Sequence, residues 1–189
     1  MGYVALREFS RAAEAALPAT LEELRGAGAT HWVLDLRGNR GGNLQTFLRL
    51  ASLFIQSGAL AVTVDRSGAE ATLRADGRGY RATSSPWRCS SIANRRRRRS
   101  CWPPISRSMG PLGCSARQRQ VLGTSRLFRL PDGSALWLTV SALQSGLARR
   151  NVHGVGLAPD EVVTRTRADL VSGNDTPLVR ALAWVTRDR

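Results

Sequence analysis

The chain has 189 residues, enough for one domain or slightly more, and its hydrophobic content of 42% is typical of a globular protein. No apolar run is long enough to span a membrane. Residues 1–10 lack the apolar core of a signal peptide, so no export signal is expected and the compartment stays open. The net charge of +14 is concentrated in one segment. Residues 83–126 carry ten of the 28 arginines and all three cysteines but no acidic residue. The rest of the chain has 18 arginines and 14 acidic residues.

The first third of the chain alternates between helix and strand patterns. Apolar residues at helical spacing predict a helix over Arg11–Gly26, and the apolar run at residues 31–36 predicts a buried strand. The glycine-rich stretch RGNRGG then leads into a second helix at residues 43–55, followed by strands at residues 60–65 and 71–74. This order predicts an α/β fold, with a mixed sheet flanked by helices.

The middle of the chain has no regular period, so residues 83–126 are expected to be disordered or disrupted, without the central strand and helix of such a sheet. Order returns at a predicted β-hairpin formed by residues 127–141 around the turn PDGS. A last helix is predicted from a capping Asp175 through Trp184. We expect Trp137 and Trp184 to lie in the core.

Four blocks of the sequence, in the same order as in the family, resemble the catalytic domain of the C-terminal processing (tail-specific) serine peptidases. They are GYVALREFS at residues 2–10, VLDLRGNRGG at 33–42, LFRLPDGSALWLT at 127–139 and HGVGLAPDEVV at 153–163. The resemblance implies that residues 1–82 and 127–189 are the two halves of one protease-like catalytic domain, interrupted by an aberrant arginine-rich segment at 83–126. It also implies peptide or protein C-termini as partners. The family's peptide-binding PDZ module is not found in this chain.

The resemblance further implies a mechanism in which a serine attacks the peptide carbonyl and a neutral lysine takes the serine's proton. The family's serine motif and lysine block belong between Gly79 and Leu127, but neither is found, and the chain contains no lysine. We therefore expect no retained catalytic residue and no peptidase activity, and we expect no metal or cofactor.

By the same resemblance, Gly41 or Gly42 would supply one N–H of an oxyanion hole. Asp35, Arg37 and Asn39 would support this loop. The alternative is a tight strand-to-helix turn that binds no ligand.

The genetic code offers a reason for the missing motif. If the codons of residues 84–104 are read from the third base of each, Ser codons of the TCN type and all Cys and Trp codons place a T in the middle position, which encodes only Phe, Leu, Ile, Met or Val. The arginine run, if written with CGN codons, then permits Ser, Pro, Thr or Ala, so the shifted frame allows an apolar strand, Asn, and Ser-Ala-Ser-Ala-Ala-Glu. We hypothesise two compensating frame slips around this segment. The shifted codon across Val121 and Leu122 cannot encode Lys, so a further slip and an earlier loss of lysine both stay open.

Two other functions are compatible with the sequence. The first is a catalytically dead remnant that binds peptides through the glycine loop and a sheet edge. The second is weak, salt-dependent nucleic-acid binding through Arg95, Arg96, Arg97, Arg98 and Arg99, which is disfavoured because no aromatic residues are organised around them. The three cysteines and two distant histidines lack the spacing of a zinc site.

Overall fold

The computed structural model describes residues 1–39, 41–77, 89–93, 114–116, 123–145 and 161–186. A parallel sheet has the strand order β1 (Gly2–Ala5), β2 (Trp32–Asp35), β5 (Cys89–Ala93) and β6 (Cys114–Ala116). An antiparallel sheet has the order β4 (Glu70–Arg74), β3 (Ala59–Asp65), β8 (Ala135–Ser145) and β7 (Thr124–Arg129). The described helices are α1 (Arg11–Gly26), α2 (Leu44–Ser52), α3 (Arg167–Val171) and α4 (Thr176–Thr186). The predicted α/β class is confirmed, with the strands divided between two sheets.

Helices cover both faces of the parallel sheet. Because side chains alternate along β2, neighbouring residues of this strand pack against helices on opposite faces. Trp32 and Leu34 belong to the main apolar core, which also contains buried residues of α1 and α2. Val33 is completely buried in a second cluster with Ala181 and Val185 of α4. The run WVLD therefore has no solvent-exposed face, as expected for a strand of a parallel sheet that is covered on both sides.

The ends of α1 and α2 follow from local capping. The Ser10 side chain accepts a hydrogen bond from the Ala13 amide at 3.3 Å, so α1 begins at the predicted residue. The Asn43 side chain caps α2, which therefore begins one residue later than predicted. The two helices are joined where Glu14 accepts a hydrogen bond from the Thr46 hydroxyl at 2.9 Å.

Part of the arginine-rich segment contributes strands. The backbone of β5 pairs with β2 from Trp32 opposite Cys89 to Asp35 opposite Ile92, and β6 continues the sheet. The expectation that the central strand is missing is therefore wrong, because ladder hydrogen bonds are made by backbone groups that every residue except proline possesses. The rest of the segment, including the arginine run at residues 95–99, lies outside the described residues, apart from the start of β7.

The predicted hairpin is confirmed as β7 and β8, but one expectation about its packing is wrong. Trp137 is 68% exposed, whereas Trp184 packs against the cluster around Val33. The reason is the reach of the sheet: β3 pairs only with residues 141–145 of β8, so no third strand of the described ranges lies beside the outer part of the hairpin. No helix in the described ranges combines the length and hydrophobicity that crossing a membrane requires.

Candidate functional site: the glycine loop

The loop that follows β2 is built on a buried carboxylate. Asp35 has no exposed surface, and its Oδ1 accepts hydrogen bonds from the Arg37 amide at 2.8 Å and from Arg37 Nε at 2.9 Å. Its Oδ2 accepts hydrogen bonds from the Tyr3 hydroxyl at 2.6 Å and Arg37 Nη2 at 2.9 Å. Burial opposes ionisation, but the hydrogen bonds from Arg37 and Tyr3 outweigh it and lower the pKa of Asp35. The carboxylate is therefore ionised and saturated with donors.

Arg37 joins this loop to the C-terminal helix. Its Nη1 donates to Asp175 Oδ1 at 2.5 Å, across 138 residues of sequence. Asp175 also caps α4, since its backbone oxygen accepts a hydrogen bond from the Val179 amide at 2.9 Å. Hydrogen bonding to Asp35 is the main reason that the pKa of Arg37 is raised, and the bond from Arg37 lowers the pKa of Asp175. The guanidinium thus holds two carboxylates from distant parts of the chain.

Asn39 ties the loop to the segment that follows β1. Its side chain is buried, with Nδ2 donating to the Leu6 carbonyl at 2.9 Å and Oδ1 accepting from the Gly41 amide at 2.8 Å. The Phe9 amide donates to the Gly41 carbonyl at 2.8 Å, and the Asn43 amide donates to the Phe9 carbonyl at 3.0 Å. The loop backbone is consequently fixed on one side along its length.

These bonds distinguish the two glycines, which the sequence left equivalent. The Gly41 N–H is occupied by Asn39, and the first-turn amides of Gln45 and Thr46 are occupied by Asn43 Oδ1. Within the described part of the chain, the Gly42 amide makes no hydrogen bond. Because Gly42 forms a parallel bridge with Phe9 through its neighbours' backbone groups, its own N–H points away from Phe9. Gly42 is therefore the candidate donor to an external acceptor.

Only glycine fits at this position. Gly42 has φ of +146°, and a Cβ placed there would lie 2.3 Å from the Phe9 carbonyl oxygen. Gly41 also has a positive φ, of +91°. The close approach of two backbones is thus what fixes the direction of the Gly42 amide.

Three residues of this site were not predicted from the sequence. Tyr3 donates to Asp35, and Arg7 lies with Nη2 3.6 Å from Asp35 Oδ2 and donates to the Arg37 carbonyl. Both belong to the GYVALREFS block, whose polar side chains could have been predicted to contact the glycine loop. Asp175 was expected only as a helix cap, because no local pattern reports a partner so far away in sequence. The described residues contain no cluster of His, Cys, Asp or Glu that could hold a metal ion.

Comparison with known proteins places this geometry in context. The model of the family described as Peptidase family S41 matches residues 1–98. A carboxyl-terminal-processing protease of Picosynechococcus sp. is 28% identical over 200 residues, which cover 100% of this chain and 46% of that protein. The chloroplastic carboxyl-terminal-processing peptidase 2 of Arabidopsis thaliana is 27% identical over 176 residues, covering 88% of this chain and 32% of the relative.

Solved structures show the same fold. The photosystem II D1 C-terminal processing protease superposes with a TM-score of 0.69 at 24% identity, over 85% of this chain and 42% of that chain. The present chain therefore spans less than half the length of each of these similar proteins.

Proposed function

Because the chain belongs to Peptidase family S41, whose model matches more than half of its length, we propose that its glycine loop is the carbonyl-binding part of a serine peptidase site. In this proposal, residues 1–82 and 127–189 are halves of one domain interrupted by residues 83–126. The chain binds peptide C-termini and does not cleave them. The observation that carries the proposal is the Gly42 amide, which is held in a fixed direction and has no hydrogen-bond acceptor among the residues that the structure describes.

The chemistry of the loop suits an oxygen acceptor. A peptide carbonyl or terminal carboxylate needs N–H donors that are already oriented, since reorienting them on binding would cost free energy. The loop achieves this by using the Asn39 side chain to hold the Gly41 amide and the Phe9 carbonyl to hold the Asn43 amide. Arg7, whose side chain is 57% exposed, adds a positive charge beside the loop that favours a C-terminal carboxylate.

The predicted inactivity follows from proton chemistry. A serine hydroxyl becomes a nucleophile only when a nearby base accepts its proton, and the family resemblance assigns this task to lysine. The chain has none, and its arginines cannot replace lysine because the guanidinium stays protonated at any physiological pH. Of the two histidines, His31 lies at the start of β2 and contacts the Thr30 hydroxyl at 2.8 Å.

The position of β5 supports the hypothesis of frame slips. β5 lies between β2 and β6, and interior strands of parallel sheets are usually apolar throughout. The written sequence of β5 is CSSIA, with two serines, whereas the shifted frame converts Cys89 and, for TCN serine codons, Ser90 and Ser91 into aliphatic residues or Phe. Sequencing the gene across codons 76–128 tests this directly: slips at both ends support the hypothesis, and an uninterrupted written frame contradicts it.

The proposed function is tested with a fluorescent peptide that ends in apolar residues. We expect binding without turnover, together with a shift of the Gly42 amide resonance in an ¹⁵N-labelled protein. The same peptide with an amidated C-terminus is the control, and it should bind more weakly if the terminal carboxylate is recognised. Turnover that one serine substitution abolishes would contradict inactivity, and the absence of binding would contradict the peptide-binding role.

A further inference from the structure

We draw no further inference here: the strongest candidate, the exposed apolar surface on both faces of the outer part of the β7–β8 hairpin, carries no proposal because nothing in the described part of the chain shows what covers it.

Discussion

The glycine loop and the outer part of the β7–β8 hairpin, residues 124–140, differ in opposite ways in the regularity of their backbone and the burial of their side chains. We refer to residues 124–140 as the arm. The loop has irregular backbone and three positive-φ glycines, yet Asp35 and Asn39 within it are completely buried and hydrogen-bonded. The arm is a regular hairpin around a PDGS turn, yet its large hydrophobic side chains face outward. Regular secondary structure therefore depends on local sequence, whereas burial depends on which other elements pack against the segment. Substituting the same type of residue in the loop and in the arm tests this difference.

The largest expected difference in the free energy of unfolding is between substitutions of two aspartates, Asp35 in the loop and Asp132 in the arm. Asp35→Ala leaves the Arg37 guanidinium without its main partner in a partly buried setting, so we expect a loss of about 4 kcal/mol in the free energy of unfolding. Asp132→Ala in the turn of the arm removes only exposed contacts with Ser134 and should have a far smaller effect. Urea unfolding of both variants measures the contrast, and equal losses would contradict it.

Matched glycines give the next largest difference. Gly42→Ala brings a Cβ against the Phe9 carbonyl oxygen, and we expect a cost of about 3 kcal/mol from steric strain. Gly133→Ala in the arm places a Cβ in open space at φ of +84°, so only the left-handed conformation is penalised, by about 1 kcal/mol. Urea unfolding midpoints compare the two variants, and a Gly133→Ala loss as large as that of Gly42→Ala would show that the loop is not specially constrained.

The ion pair between Asp175 and Arg37 of the loop should make the stability of the chain sensitive to acid. Asn is as good a helix cap as Asp, so Asp175→Asn removes mainly the ion pair with Arg37, at a cost of about 1 kcal/mol at pH 7. Because the pKa of Asp175 in the folded chain lies below its ordinary value of 3.8, this contribution is present above that pH and is lost as the pH falls further.

Unfolding curves at pH 7 and at successively lower pH provide the measurement. The stability difference between the wild type and Asp175→Asn should shrink as the pH falls below 3.8. A difference that stays constant with pH would mean that the ion pair contributes nothing and that the variant acts through packing.

The smallest effect is expected at Trp137. Trp137→Thr keeps a residue that favours strands and removes a side chain that is 68% exposed, so the unfolding free energy should change by less than about 0.5 kcal/mol. The measurement belongs at a protein concentration too low for association, since a dimer would add its own stability. A large loss there would show that the arm packs against the rest of the chain.

The parts of the fold that depend on local sequence could be predicted, whereas the parts that depend on long-range packing could not. The predicted and observed bounds of α1 agree because its capping serine and apolar spacing are local. Trp137 was misplaced because alternation along β8 predicts two faces but does not show whether anything covers them. The strands of one expected sheet form two, since strand pairing joins residues as distant as Ala61 and Ser145.

The site was predictable only in part for a related reason. The LDLRGNRGG motif located the loop, and the structure brings Asp35, Arg37 and Asn39 together there. The choice between Gly41 and Gly42 required the hydrogen bond of Asn39, which depends on side-chain orientation. The pairing of Arg37 with Asp175 joins two segments whose separation in sequence gives no local sign of contact.

That long-range pairing also has a consequence for the order of events in folding. β1, α1, β2 and α2 lie within the first 52 residues and can collapse with short loop closures, whereas the contact between Arg37 and Asp175 must close a loop of 138 residues. Among the described residues, the apolar cover of Val33 comes from α4, and Arg37 gains its second carboxylate, Asp175, at the start of that helix. α4 therefore completes this packing after the first four elements, and a nascent chain would lack the cover that α4 gives to Val33 until α4 has been synthesised.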